Sequence, residues 1–137
     1  MSTLLLQHWP AILVASFTGF VLGGLWYGPL FLKPWLQASG MTMERGKAQN
    51  KLVVFGLAWL ANLVAASGLR VFMGTHHGLL IGMHTGLMGA LVFALTALTV
   101  IYLFESRPFK LWLINSGYQL VNFAAMGAIL GAWPVPG

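Results

Sequence analysis

The chain has 137 residues, 58% of them hydrophobic and only 7% charged, with a mean hydropathy of +0.82, whereas a soluble domain carries about 25% charged residues; a water-soluble globular protein is excluded and an integral membrane protein is expected. The net charge of +5 comes from seven basic and two acidic side chains, few and confined mostly to loops, so it points to anionic lipid headgroups and not to nucleic acid. Cysteine is absent, which removes disulfides, thiolate metal sites and dithiol redox chemistry.

Apolar runs at about 10–28, 52–73, 79–104 and 111–133 each approach or exceed the roughly 18–20 residues a helix needs to cross about 30 Å of hydrocarbon. The expected fold is all-α: an integral membrane four-helix bundle forming one domain over 1–137, with a short interfacial segment between helices 1 and 2. No Lys or Arg precedes the first run and no small-residue cleavage site follows it, so helix 1 is expected to be retained as a span.

Helix 1 begins at Pro10, suited to a first helical turn, and carries small residues four apart at Ala11, Ala15, Gly19 and Gly23, with Gly24 and Gly28 beside them. Pro29 ends it. The segment "PLFLKPWLQASGM" that follows is amphipathic and predicts a surface segment, with a short helix, at the inner leaflet. The polar stretch "TMERGKAQN" then connects to helix 2. Helix 2 holds Asn62, and Arg70 near its outer end, a position from which an arginine snorkels to lipid phosphate or meets an anionic ligand.

Helix 3 opens with "GLLIGMHTGLMGALVFA", placing Gly78, Gly82, Gly86, Ala90 and Ala94 four apart. In lipid there is little hydrophobic drive between helices, so small residues at this period let backbones approach closely. The same device recurs at Gly127 and Gly131 of helix 4. These ridges predict helix packing and, alternatively, a homo-oligomer interface. Helix 4 also presents Asn115, Tyr118, Gln119 and Asn122 at spacings of three and four, which is one stripe.

Orientation follows from the basic side chains. Lys33, Arg45, Lys47 and Lys51 precede helix 2, Arg107 and Lys110 precede helix 4, and only Arg70 lies on the other side, so both termini are expected to face outward. Trp9 and Trp133 mark the outer boundary, and Trp26, Trp35 and Trp112 the inner one. The six prolines, at 10, 29, 34, 108, 134 and 136, avoid the middle of every run, which argues against helices broken at mid-membrane. The segments "KPWLQASG" at 33–40 and "KLWLINSG" at 110–117 echo each other, as two inner-surface segments with common needs would.

Ionisable groups within the spans are the natural place to look for function. No Asp or Glu lies in any run, which counts against proton-coupled cation antiport through an intramembrane carboxylate. His8, His76, His77 and His84 all fall on the outward side. His77 and His84 are about 10 Å apart along one helical face, too far to share a metal, so no metal site is assigned. His84 is the proton-responsive candidate. No nucleophile dyad, carboxylate pair or phosphate loop is present, so no catalytic residue and no cofactor is assigned.

The blocks "VLGGLWYGPLF…KPWL" at 21–36, the helix 3 glycine series and "LINSGYQLVNFAAMGAILGAW" at 113–133 resemble an uncharacterised family of small bacterial four-span membrane proteins, a domain of unknown function. The resemblance covers nearly the whole chain. It implies a bacterial inner membrane and a four-span fold, and it supplies no reaction or substrate. The expected function is small-molecule or lipid binding or transport through a polar intramembrane pocket of Asn62, Arg70, His84, Asn115, Tyr118, Gln119 and Asn122. Membrane lipids are the expected partners. The alternatives are a structural or partner-binding membrane protein, or an enzyme using His84 as acid or base with Tyr118 nearby.

Overall fold

The computed structural model describes residues 2–134, so Pro136 lies outside the described residues. Every regular element among them is helical: α1 (Ser2–Gln7), α2 (Trp9–Ser16), α3 (Thr18–Leu25), α4 (Leu32–Ser39), α5 (Met43–Ala48), α6 (Lys51–Met73), α7 (Leu79–Gly89), α8 (Leu95–Phe104) and α9 (Phe109–Ala132). Wider π turns at Trp26–Leu30 and Ala90–Ala94 extend α3 and join α7 to α8. Three helical stretches are long and apolar enough to cross a membrane: Trp9–Leu30, Lys51–Met73 and Leu79–Phe104. The fourth long helix, α9, matches them in length at 24 residues, but Asn115, Ser116, Gln119 and Asn122 lower its hydropathy. It packs against α2, α3, α6, α7 and α8, so this more polar helix is enclosed by the three apolar ones.

Local chemistry explains where the helices stop and bend. The first apolar stretch is interrupted at Phe17, although no proline is near. There Ser16 Oγ donates to Leu13 O at 2.6 Å and Thr18 Oγ1 lies 2.8 Å from Ala15 O, and such back-bonded hydroxyls compete with the helical ladder and bend it. Lower down, Pro29 has no N–H to offer, and the turn around it widens so that Phe31 N reaches back to Trp26 O at 2.9 Å. The "TMERGKAQN" stretch, expected as a connector only, contains a helix: Thr42 Oγ1 accepts from Arg45 N at 3.1 Å and starts α5. Asn50 Oδ1 then accepts from Val53 N at 3.3 Å and starts α6.

Residues 74–78 link α6 to α7 in a loop bounded by glycines. Gly74 has φ +60° and Gly78 has φ +123°, conformations that a side chain would strain. Gly78 N donates to Gly131 O at 2.8 Å, which ties the loop to the last turn of α9. The buried apolar core, Ala11, Ile12, Ala15, Ala66, Leu69, Met73, Met126 and Leu130, lies towards this same end. At the opposite end α6 stands clear, with residues 51–58 exposed. Leu52, Phe55, Leu57, Phe93, Leu103 and Phe104 are all exposed, an apolar exterior of the kind a hydrocarbon solvent accepts.

The closest pair of helices is α7 with α9. A methyl group on Gly82 would overlap Gly127 O, one on Gly86 would overlap Phe123 O, and one on Gly131 would overlap Gly78 O. The glycine ridge of helix 3 and that of helix 4 are thus consumed by each other. A homo-oligomer through these ridges would have to displace contacts made within the chain. The ridge of helix 1 is likewise covered: Ala11, Ala15 and Gly19 are buried, and Gly23 faces Tyr118.

Candidate functional site

Asn115, Tyr118 and Asn122 of the α9 stripe face inward, and their partners are groups of neighbouring helices. Asn122, only 1% exposed, donates from Nδ2 to Asn62 Oδ1 at 3.1 Å. Its Oδ1 lies 3.0 Å from Thr18 Oγ1. One amide thereby joins α9 to α6 and to α3. Gly19 makes this possible, because a methyl group there would overlap the Asn62 amide.

One turn towards the connector end, Tyr118 donates its hydroxyl proton to Gly19 O at 2.9 Å, its ring seated against Gly23. A further turn on, Asn115 is held on both sides: Tyr27 OH donates to its Oδ1 at 2.6 Å, and its Nδ2 donates to Tyr102 OH at 2.7 Å. The rings of Tyr27 and Tyr118 are 5.3 Å apart. All three tyrosines of the chain therefore gather on this face of α9. Indole donors complete the layer: Trp26 Nε1 donates to Ile114 O at 2.8 Å, Trp112 Nε1 to Thr99 Oγ1 at 2.9 Å and Trp59 Nε1 to Ser16 Oγ at 2.9 Å. Gln119 is half-buried and takes no part in this network.

These contacts change the reading of the stripe. Three amides and a tyrosine exceed what one neighbouring helix satisfies, but α9 has several neighbours, and Asn115, Tyr118 and Asn122 are each bonded directly. Buried amides and hydroxyls bonded in this way hold helices together at roughly 0.6–2 kcal/mol apiece.

His84 is not among them. It lies two positions beyond Gly82, about 200° around the helix, so the contact that draws Gly82 and Gly86 onto α9 turns His84 outward. It is exposed and borders an apolar groove of about 260 Å³ with Phe72, Thr85, Met88, Gly89, Val92 and Phe93. A second apolar groove of about 320 Å³ adjoins it between α6 and α7, lined by Ala65, Gly68, Leu69, Phe72, Gly89, Phe93, Ala94 and Phe123.

Arg70 departs furthest from expectation. It does not snorkel: it is fully buried, turned back under the 74–78 loop, where Nη2 donates to Gly74 O at 2.6 Å and lies 3.3 Å from His76 O. Its Nε and Nη1 have no acceptor among the described residues. Beside it, His8 is 2% exposed and stacks on His77 with ring centroids 6.0 Å apart. His8 donates Nδ1–H to Leu4 O at 2.9 Å, and its Nε2, like the buried Nδ1 of His77, has no partner among the described residues. The helical repeat puts His77 and His84 on one face but too far apart to meet; the fold stacks His77 on His8, because α1 and α2 bring His8 over the loop. Partial desolvation, then the charges of Arg70, His8 and His76, hold the His77 pKa below its ordinary value. No cluster of three or more potential metal ligands forms among the described residues.

Two polar regions result. The amide and tyrosine network is closed on itself. The Arg70, His8 and His77 corner carries polar atoms without partners among the described residues, and burying a charge in that state costs several kcal/mol.

Neither any curated protein nor any solved structure matches the chain. A family model described as "Protein of unknown function (DUF1761)" matches residues 10–131, and the chain belongs to that family.

Proposed function

We propose that this chain is a four-span integral membrane protein of one domain, lying in a bacterial inner membrane with both termini outward, and that it binds a small molecule or lipid within its helices. The four-span reading is supported by the enclosure of α9 by the three apolar stretches, since a helix so surrounded shares their orientation in the bilayer. The orientation rests on the basic connectors at 33–51 and 107–110. Self-association, where it occurs, uses the uncovered half of α6 at 51–58, because the glycine ridges are occupied.

The observation that carries ligand binding is Arg70: fully buried, with two of its three guanidinium nitrogens unpaired among the described residues. The ligand site is therefore at the Arg70 end, with Asn62, Asn115, Tyr118 and Asn122 holding the helices that frame it. His84 and Gln119 stand outside it. The test is native mass spectrometry of the protein purified in a maltoside detergent. Wild type carries a co-purified ligand mass that Arg70→Gln loses and Gln119→Leu keeps. A wild-type protein without any bound mass, or equal retention by the Arg70 variant, sinks the reading in favour of a purely structural membrane protein.

A further inference from the structure

Among the described residues, counter-charge is what Arg70 lacks. The chain has two acidic side chains, Glu44 and Glu105, and both lie at the connector end. Along α6 alone, the rise from Lys51 to Arg70 is about 28 Å, so no side-chain carboxylate of this chain reaches the guanidinium. Gly74 O and His76 O offer dipoles to Nη2, as basic groups near a helix C-terminus commonly find. They leave Nε and Nη1 untouched.

The neighbours of Arg70 are donors or become donors. A carbonyl only accepts, so the bond to Leu4 O fixes the His8 proton on Nδ1 and leaves Nε2 without a partner among the described residues. His77 offers its unpaired Nδ1 on the same terms. The groups facing His77 are Arg70 from α6, His8 from the first helix and His76 from the loop, and none of them is acidic. A ligand that satisfies this corner must bring negative charge and several acceptor oxygens together.

We propose that Arg70, His8 and His77 form a binding site for an oxyanion, a carboxylate or phosphate group, and that its binding draws a proton from solvent onto His77. This deepens, and rests on, the ligand-binding reading above. The anion pairs with the guanidinium, and the same negative charge removes the repulsion that disfavours imidazolium beside it. Affinity therefore rises as pH falls. The 74–78 loop, bounded by Gly74 and Gly78, covers the guanidinium.

The experiment titrates delipidated protein in maltoside detergent with inorganic phosphate, acetate or chloride at constant ionic strength, and separately with a short-chain phosphatidic acid, following binding by calorimetry at several pH values. Phosphate or acetate is expected to bind where chloride does not, tightening by up to about tenfold per pH unit where one proton is taken up. Arg70→Gln is expected to abolish binding. His77→Gln is expected to bind with the pH slope flattened, an effect that loss of structure alone does not produce and that keeps the test open if Arg70→Gln fails to fold. Free phosphate or acetate binding assigns a soluble oxyanion; binding of the phosphatidic acid alone assigns a lipid headgroup. Absence of binding by all of them, or a pH slope unchanged in His77→Gln, overturns the proposal. If no oxyanion binds while wild type retains an uncharged ligand that Arg70→Gln loses, the oxyanion proposal falls and the ligand-binding reading stands.

Discussion

Gly82 and Gly127 face each other across the α7–α9 contact in a reciprocal fit: a methyl group on either would overlap the backbone carbonyl oxygen of the other. Backbone cannot move aside as the tip of a flexible side chain can. Gly82→Ala and Gly127→Ala should each lower the thermal unfolding midpoint in detergent, at a cost of about 1–3 kcal/mol or more. Gly56→Ala is the control. A methyl group there meets nothing within 4 Å, and removing a helical glycine from an exposed site favours the helix by up to about 1 kcal/mol. Equal midpoints for Gly82→Ala and wild type would show that the two helices do not pack on these glycines.

Gly19 and Gly23 separate two kinds of small-residue position on one helix. A methyl group on Gly23 would sit 3.7 Å from the Tyr118 hydroxyl, an ordinary contact, whereas one on Gly19 would displace the Asn62 amide. Gly23→Ala should be tolerated. Gly19→Ala should destabilise, and the loss should shrink when Asn62→Ala is already present, because the displaced amide is then gone. Additive effects in that double-mutant cycle would disprove the link.

Asn122 and Gln119 lie on one stripe and should behave differently. Asn122→Leu leaves Asn62 and Thr18 without their shared partner, and unsatisfied polar groups in membrane interiors cost about 1–3 kcal/mol, with measured interhelical couplings nearer 0.6–1.7. Gln119→Leu removes no bond and should be close to neutral. The measurement is unfolding in mixed detergent. A stable Asn122→Leu protein would mean that water already serves this site and that the stripe borders a hydrated cavity.

These contrasts mark what the residue order conveys. The four apolar runs fall within two residues of the ends of the four long helical stretches, and the spacing of 115, 118, 119 and 122 places one polar stripe on α9. What covers that stripe is a tertiary fact. Tyr27 comes to Asn115 from 88 residues away and Tyr102 from across the α8–α9 turn, 13 residues away, and nothing local to either marks it as a partner. The bend at Phe17 was hidden for a different reason: Ser16 and Thr18 are ordinary small residues in a packed helix until their hydroxyls turn back on the carbonyls. For Arg70 the residue order offers lipid phosphate or an anionic ligand; that the side chain turns back under the following loop and not towards lipid depends on glycines whose φ values are legible only in the fold.

Cysteine accessibility tests the orientation. Single cysteines at Thr3, Gln49 and Thr75, all exposed, should react with an impermeant reagent on intact cells at the first and third alone. Labelling at Gln49, with Thr3 and Thr75 silent, would invert the protein and place the Arg70 corner on the cytoplasmic side.

His77 makes stability depend on pH in a direction that can be stated beforehand. Its folded pKa is depressed by partial desolvation and by the positive charges of Arg70, His8 and His76, so as pH falls the unfolded chain, with an ordinary histidine near 6.5, takes up its proton first. The contribution of His77 is therefore fully present above about pH 6.5 and is lost as pH falls from there through the folded pKa. The melting midpoint in detergent without added oxyanion should be lower at pH 5.5 than at pH 7.5, and His77→Gln should remove much of that difference. Added phosphate should reduce the loss in the wild type, because an anion beside Arg70 stabilises the imidazolium that the empty corner repels. A wild-type midpoint that rises on acidification without phosphate would show that His77 gains a partner in the folded state, and the electrostatic picture of this corner would have to be reversed.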